Sequence, residues 1–286
     1  MAPAALHMTT GFITFEGMSY DKSLPTAAEL GFDYVEIMMP YAPDRTELGR
    51  EYLARHADAI RETAAAEGVD LLVHLPHALD IGAPAERVRS ASIEELKACL
   101  DTAAEFGADK AVVHPTSTAR ERTWTDSVVR DWIVESIREV DDYGGTRGVE
   151  VCMENIPGSR FELGDFDHFL ADTDCSMTLD TGHARISGYD EGRIAEFLDD
   201  HHPRVSHVHV NDNKQFLVGE AGRPADDHVP TGSGDLEFVP LLEVLGATDW
   251  DGTASLEVQT GNLDYIAVSK EQLDGMLETA RTAVNE

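Results

Sequence analysis

The feature that most constrains this chain is an alternation repeated eight times, a short apolar, β-branched run followed by an amphipathic stretch. The apolar runs are GFITF (11–15), DYVEIMM (33–39), DLLVHL (70–75), DKAVVH (109–114), GVEVCME (148–154), CSMTLD (175–180), RVSHVHV (204–210) and TASLEV (253–258). Each leads into a stretch of helical periodicity. In IEELKACLDTAAEF, Ile93, Leu96, Leu100 and Ala103 recur at intervals of three and four and make one apolar stripe. Near-continuous apolar strands separated by helices imply a parallel sheet covered on both faces. Eight such units in 286 residues predict a single closed (β/α)8 barrel rather than two domains. The barrel is expected over residues 10–286, with 1–9 as a tail outside it and MTTGFITFEG as the natural beginning.

Hydrophobic residues make up 42% of the chain, enough for a substantial core. No apolar run reaches the roughly 18 residues of a membrane span, and MAPAALHM lacks the charged and long apolar segments of a signal peptide. The three cysteines, Cys99, Cys152 and Cys175, are far apart and form no CxxC pair, which predicts buried, reduced thiols in a cytoplasmic protein. Asp and Glu outnumber Lys and Arg by 54 to 22, for a formal charge of −32. The acids are spread along the whole chain, a halophilic pattern like that of proteins from salt-loving microbes. The charge therefore reports on solvent more than on partner. It disfavours nucleic-acid binding in ordinary buffer, and less so near 1 M salt, where the Debye length is about 3 Å.

In a barrel of this kind the chemistry sits at the carboxyl ends of the strands. There the sequence offers His74, His114, Glu154, Asp180 with His183 just after it, His209 and Glu257. The long connection from Asn211 to Gly234 adds Asp226 and His228, two apart in DDHVPTGSG, so that both side chains leave an extended backbone on one side. Singly, each has an ordinary explanation: a hydrogen-bonded strand end, an ion pair, or for Asp180 a helix N-cap. His207, on the same strand face as His209, shows that a strand histidine need not be a ligand, and His77, His168, His201 and His202 read as surface or loop residues. Jointly, six consecutive strands each deliver a His, Asp or Glu to one end of one barrel. Burying such a cluster costs several kcal/mol per uncompensated charge, and bound cations offset that cost directly. Five imidazoles and four carboxylates without cysteine suit zinc, manganese or a similar divalent ion better than calcium.

These residues resemble those of the xylose isomerase-like TIM barrel superfamily, which includes endonuclease IV and many sugar isomerases and epimerases. The resemblance covers about residues 10–280. It is most specific in DTGHARISGYD (180–190), HVND (209–212) and DDHVPTGSGDLEF (226–238), which look like the endonuclease IV patterns DTxHxxxxGYD, HxND and DxHxxxGxG. It implies up to three divalent ions, zinc foremost with manganese or magnesium as alternatives. His74, His114 and Glu154 would hold the first. Glu154 would bridge to the second, completed by Asp180, His209 and Glu257, and His183, Asp226 and His228 would hold the third. Single-metal sugar isomerases and epimerases need only the set resembling Glu154, Asp180, His209 and Glu257. Gly232 and Gly234 are expected to allow positive φ or close backbone approach in the turn after the third arm.

Two reactions follow. At a multinuclear site Glu154 or Glu257 would orient a metal-activated hydroxide for phosphoester hydrolysis. Around one metal, Glu154 and Glu257 would instead pass a proton to and from a carbon beside a carbonyl, in a sugar or sugar phosphate, with His183 touching substrate. The chain departs from the endonuclease pattern where that family grips DNA. The first loop, EGMSYDKS, lacks paired glycines, and PHALDIGAP after His74 has no tyrosine. The basic residues expected near the mouth are few: Arg120, Arg122, Arg160, Arg185, Lys214 and Arg223, with Tyr41 and Trp124 as sparse aromatics. A small phosphorylated or sugar-like substrate is the expected partner, and DNA is only weakly supported.

Overall fold

The computed structural model describes residues 8–15, 17–214 and 225–284. Eight strands form a closed parallel barrel in sequence order: β1 (Thr9–Ile13), β2 (Tyr34–Met38), β3 (Asp70–His74), β4 (Lys110–Val113), β5 (Glu150–Glu154), β6 (Ser176–Asp180), β7 (Val205–Val210) and β8 (Thr253–Leu256). Every neighbouring pair, including β1 with β8, is parallel. The expected (β/α)8 fold is therefore the observed one. Strand interiors are buried almost without interruption, because one side of each faces the lumen and the other faces helices.

Around the barrel lie α1 (Tyr20–Leu30), α2 (Gly49–Glu67), α3 (Glu86–Phe106), α4 (Asp126–Arg147), α5 (Phe166–Asp172), α6 (Thr181–Ile186), α7 (Glu191–His201), α8 (Val239–Ala247) and α9 (Leu263–Val284). The stripe Ile93, Leu96, Leu100 and Ala103 on α3 is buried as its periodicity predicts, and Cys99 and Phe106 extend it. The helix α3 begins at Glu86, earlier than the stretch that carries its apolar stripe. One helix is additional. The short α6 starts directly at the end of β6, where the polar and glycine-containing TGH segment gives no apolar stripe to read. The three cysteines are free and buried. No described helix is long and apolar enough to cross a membrane. Residues 1–7 of the expected tail lie outside the described residues, while Met8 packs into the core.

Below the mouth the lumen is filled by tightly fitted side chains. Tyr34 is fully buried, and its ring occupies the space that a Cβ on Gly11 would need, 2.3 Å from the ring edge. Gly11→Ala is expected to cost about 1–3 kcal/mol by overpacking the lumen. Chemical denaturation would show this as a lower midpoint, and an unchanged midpoint would mean the lumen can relax.

Candidate metal centre

The nine sequence-predicted residues all arrive at one place. His74, Glu154 and Asp180 are the last residues of β3, β5 and β6, and His114 and Glu257 lie one residue past β4 and β8. His209 is the penultimate residue of β7, His183 sits in the first turn of α6, and Asp226 and His228 reach in from the β7–α8 connection. Because parallel strands end at one rim, the sequence needs no long-range coincidence to assemble them.

The contacts are close and continuous. Glu154 Oε2 lies 3.0 Å from His114 Nε2 and 3.5 Å from His74 Nε2, and the two imidazole nitrogens are 3.2 Å apart. Glu154 Oε1 faces His183 Nδ1 at 2.9 Å and His209 Nδ1 at 3.5 Å. His209 Nδ1 is also 3.1 Å from Glu257 Oε2 and 3.8 Å from Asp180 Oδ2. Asp226 bridges His183 Nε2 at 3.1 Å and His228 Nδ1 at 3.4 Å, while His228 Nε2 reaches Glu257 Oε1 at 3.3 Å. At the rim, three groups have ligand atoms within 4.8 Å of one another: His74, His114 and Glu154; Glu154, Asp180, His209 and Glu257; and Asp180, His183 and His228. The first two coincide with sets implied by the resemblance. In the third, Asp180 stands with the two histidines, and Asp226 joins through its contacts to both rings.

The donor set fits cations better than it fits itself. His74 Nδ1–H donates to the Leu75 carbonyl at 3.0 Å, so its Nε2 lone pair points at His114 and Glu154. Both Glu154 oxygens, His209 Nδ1, His228 Nδ1 and Glu257 Oε2 are buried without a hydrogen-bond partner. Spacings of 3.0–3.5 Å between these ligand atoms match the edge of roughly 3.3 Å expected of a tetrahedron with metal–ligand bonds near 2.0–2.1 Å. The cluster opens to solvent at one side, where the side chains of His114 and Asp226 are 19% and 38% exposed.

Its electrostatics are set by burial and by opposite charges in contact. Burial opposes ionisation of Glu154 and Glu257, but His114 and His209 beside the first, and His209 and His228 beside the second, hold both carboxyls well below their usual range. Burial pushes Asp180 well above its usual value, and the Glu257 and Glu154 carboxylates add to this against the pull of His183. Burial would depress His228, yet Glu257 and Asp226 raise it to about 9. His183 and His209 are likewise raised by the carboxylates around them.

A layer of amides and a carboxylate that sequence reasoning did not single out holds this arrangement. Asn155, next to Glu154, accepts the Asp180 N–H at 2.8 Å and donates to the Asp180 carbonyl at 3.0 Å. Asn211 donates to both Asp180 oxygens, and Asp180 caps α6 through the His183 N–H at 2.5 Å. Asp180 is thus both the expected N-cap and a member of the cluster. His228 has a φ of +42°, unusual for a residue with a side chain. Asn213 Oδ1 accepts the N–H groups of Asp227 and His228, and Val229 pairs with the Asp212 carbonyl. The Asp212 carboxylate takes the N–H groups of Gly232, Gly234 and Leu236. Gly232 has φ +81°, and a Cβ on Gly234 would sit 2.0 Å from Asp212 Oδ1, so the two glycines meet the two separate needs expected of them. The readable signal was polar residues just past two of the candidate residues, Asn155 after Glu154 in CMEN and Asn211 to Asn213 after His209 in HVNDN. Of the histidines expected to lie outside the site, His77 and His168 are exposed and His201 pairs with Asp167 at 3.0 Å. His207 is buried and bound to Glu36.

The fold is a barrel of the α/β class whose rim carries a candidate metal-binding cluster, and the comparisons place it more narrowly. The family model described as "Xylose isomerase-like TIM barrel" matches residues 24–280, and the chain belongs to that family. It is 26% identical over 285 residues to the uncharacterized protein MJ1311 of Methanocaldococcus jannaschii, covering 96% of this chain and 90% of that one. It is 29% identical over 233 residues to a probable endonuclease 4 of Mycobacterium leprae, covering 78% and 85%. Among solved structures, a D-tagatose 3-epimerase-like protein superposes with a TM-score of 0.79 at 26% identity, covering 97% and 100%.

Metal ligation requires neutral imidazoles, and in the metal-free chain His228 stays protonated up to about pH 9. Zinc added to the chelator-stripped protein near pH 7.5 is therefore expected to expel about one proton or more per chain. The release should shrink, and apparent affinity level off, only as the pH passes the range in which His228 and the likewise raised His183 and His209 lose their protons. Titration in weak buffer with an indicator dye measures it, and zinc binding without proton release would contradict the protonated cluster.

Proposed function

We propose that the chain is a divalent-metal-dependent enzyme that hydrolyses a small phosphoester, with zinc as its preferred ion. The observation that supports this most is the third arm: Asp226 and His228 reach His183 and Glu257 and so extend the cluster beyond the four residues that one-metal chemistry would use. Bound divalent ions would supply an acidified water and neutralise charge on the phosphoryl oxygens. The chain's own part is positional. Glu154 lies between the His74–His114 pair and the His183–His209 pair, and orients both. Glu257, between His209 and His228, is placed to hold a proton leaving the nucleophile. His114 and Asp226 form the open edge by which substrate arrives, and Phe15 packs edge-on to His228 at 6.3 Å as an apolar wall.

A small substrate fits better than DNA. Arg160 at the mouth is spent on Glu121 and Asp126, at 3.1 and 3.0 Å, and Arg185 lies 3.7 Å from Glu191. Trp124 packs against Trp132 and Tyr41 against Arg45, so neither aromatic is free to wedge into a helix. Arg223 lies outside the described residues. DNA binding needs several uncommitted cations along one face, which a chain of net charge −32 does not favour.

The likeness to the epimerase-like structure favours a second reading, isomerisation or epimerisation of a sugar or sugar phosphate. There Glu154 would take a proton from carbon and Glu257 would return it across His209. Elemental analysis and two variants separate the readings. Hydrolysis expects about three zinc-like ions per chain, with Asp226→Ala losing about one ion and turnover falling a hundredfold or more. About one ion, with solvent deuterium entering sugars and Asp226→Ala still active, would select the second reading. Glu154→Gln is expected to abolish activity on either reading with the fold intact by circular dichroism, and unchanged turnover would remove Glu154 from the site.

A further inference from the structure

Glu36 is a carboxylate inside the barrel that faces the cluster from below. It lies mid-strand on β2, fully buried, and its oxygens contact His207 Nε2 at 3.1 Å, Ser255 Oγ at 2.5 Å and His209 Nε2 at 3.3 Å. Glu36, His207 and His209 are near enough to share a cation. Their polar atoms argue otherwise. Among the cluster residues, Glu154, Glu257, His228 and His209 Nδ1 have buried atoms without partners, while the side-chain polar atoms of Glu36 and His207 are all hydrogen-bonded. The rim is therefore short of partners, whereas Glu36 and His207 below it are satisfied, although Thr178 Oγ1, on the residue in register with His207, has no partner.

The direction of every hydrogen in the lower layer follows from one charge. Lys110 Nζ is a donor only, and it donates to the Ser206 carbonyl at 2.7 Å and to Thr253 Oγ1 at 3.0 Å. Thr253 is left with its own hydrogen to give. The His207 Nδ1 contact at 2.6 Å is far better than the alternative at the Ser206 carbonyl, 3.5 Å. His207 therefore carries its proton on Nε2 and donates it to Glu36 Oε2. The same oxygen receives the Ser255 hydroxyl, which in turn accepts from Tyr34 at 3.0 Å. Glu36 Oε1 is then available to one donor, His209 Nε2–H, and that tautomer turns the Nδ1 lone pair toward Glu154, Asp180 and Glu257.

We propose that Glu36 is a positioning residue for the metal centre: held by His207 and Ser255, its carboxylate fixes His209 as the Nε2–H tautomer and so presents Nδ1 as the ligand atom. The inference rests on the metal-centre reading above. Partners of this kind behind a ligating histidine typically change metal affinity by about 10–100-fold. In Glu36→Gln the amide presents a mixed donor and acceptor where the network supplies only donors, so the His209 tautomer is no longer enforced.

The test measures zinc affinity by chelator competition on the full chain, together with the visible spectrum of the cobalt(II)-loaded protein. Wild type, Glu36→Gln and Tyr34→Phe are compared, the last removing a remote hydroxyl of the same layer while keeping its ring. Glu36→Gln is expected to weaken zinc binding about 10–100-fold and to alter the cobalt bands, with Tyr34→Phe within about threefold of wild type. Should Glu36→Gln fail to fold, Ser255→Ala serves instead, with a weakening of about threefold to tenfold. Wild-type affinity and spectrum in the Glu36 or Ser255 variant would overturn the inference and leave the metal centre standing. Equal losses in Glu36→Gln and Tyr34→Phe would also overturn it, showing general softening of the lumen. A wild type that binds no zinc would bring down the metal centre and this inference together.

Discussion

The balance of charge in one buried cluster is the constraint on which the rest of this structure depends. Four carboxylates and five imidazoles converge at the rim of the barrel, most of them withdrawn from water. Removing an ion from water costs several kcal/mol even after relaxation, and the attraction between partners repays it only with good geometry. Here the geometry toward each other is incomplete: Glu154 keeps both oxygens without hydrogen bonds, and burial, with the Glu257 and Glu154 carboxylates beside it, raises Asp180 well above its usual value. A divalent ion would suit the cluster better than its own contacts do, because it could face several of these lone pairs at once. The cluster is tolerable because it sits on a closed barrel whose strand interiors and helix faces form one continuous apolar core.

Holding such a cluster open demands rigidity around it, and the structure supplies that rigidity with uncharged or already committed groups. Asn155 and Asn211 bind Asp180 from two strands, and Gly182 lets them approach, since a Cβ there would lie 2.4 Å from Asn213 Nδ2 and 2.5 Å from Asn211 Cγ. The described part of the β7–α8 connection has an isolated bridge, Asp212 with Val229, and no strand to stiffen it, yet it carries Asp226 and His228. Its order near the site comes from Asp212 and Asn213, which satisfy five backbone N–H groups of the loop between them. The left-handed backbone at His228 costs of order 1–2 kcal/mol, and the surrounding bonds over-determine it. Strain kept at one of the two cluster residues delivered by a loop is consistent with a side chain aimed by its place in the cluster and not by its local preference.

The barrel was legible because its signal is local and repeated: apolar runs of strand length and stripes such as Ile93–Ala103 need no knowledge of their partners. The nine rim residues were legible for a related reason, since the end of a strand is a position that sequence alone can identify. What stayed hidden lies where meaning depends on the far side of the lumen. Glu36 reads as one acid in YVEIMM, and nothing nearby in sequence shows that His207, His209 and Ser255 lie across from it, at separations of 171, 173 and 219 residues. His207 looked like a counterexample because it shares a face with His209; the shared face is what lets one carboxylate bind both. The helix after β6 was hidden differently, since a two-turn element capped by a site residue has no apolar stripe to announce it.

A likeness in residues to a probable endonuclease 4 and a likeness in shape to an epimerase-like protein are compatible once the two sources of structure are separated. Strand ends carry the cluster, and loops carry the surface that meets the substrate, so either can be retained while the other changes. Charge acts on the second. A polyanion gains its affinity by releasing counterions to many basic groups, and it would meet here a chain of net charge −32 whose mouth arginines at 160 and 185 face acids. A small ester meets little of that field beyond the centre itself, and concentrated salt would screen what remains. The same acidic surface that opposes a nucleic acid thus leaves a compact, singly bound substrate almost unaffected, provided that cations in the cluster supply the local positive charge.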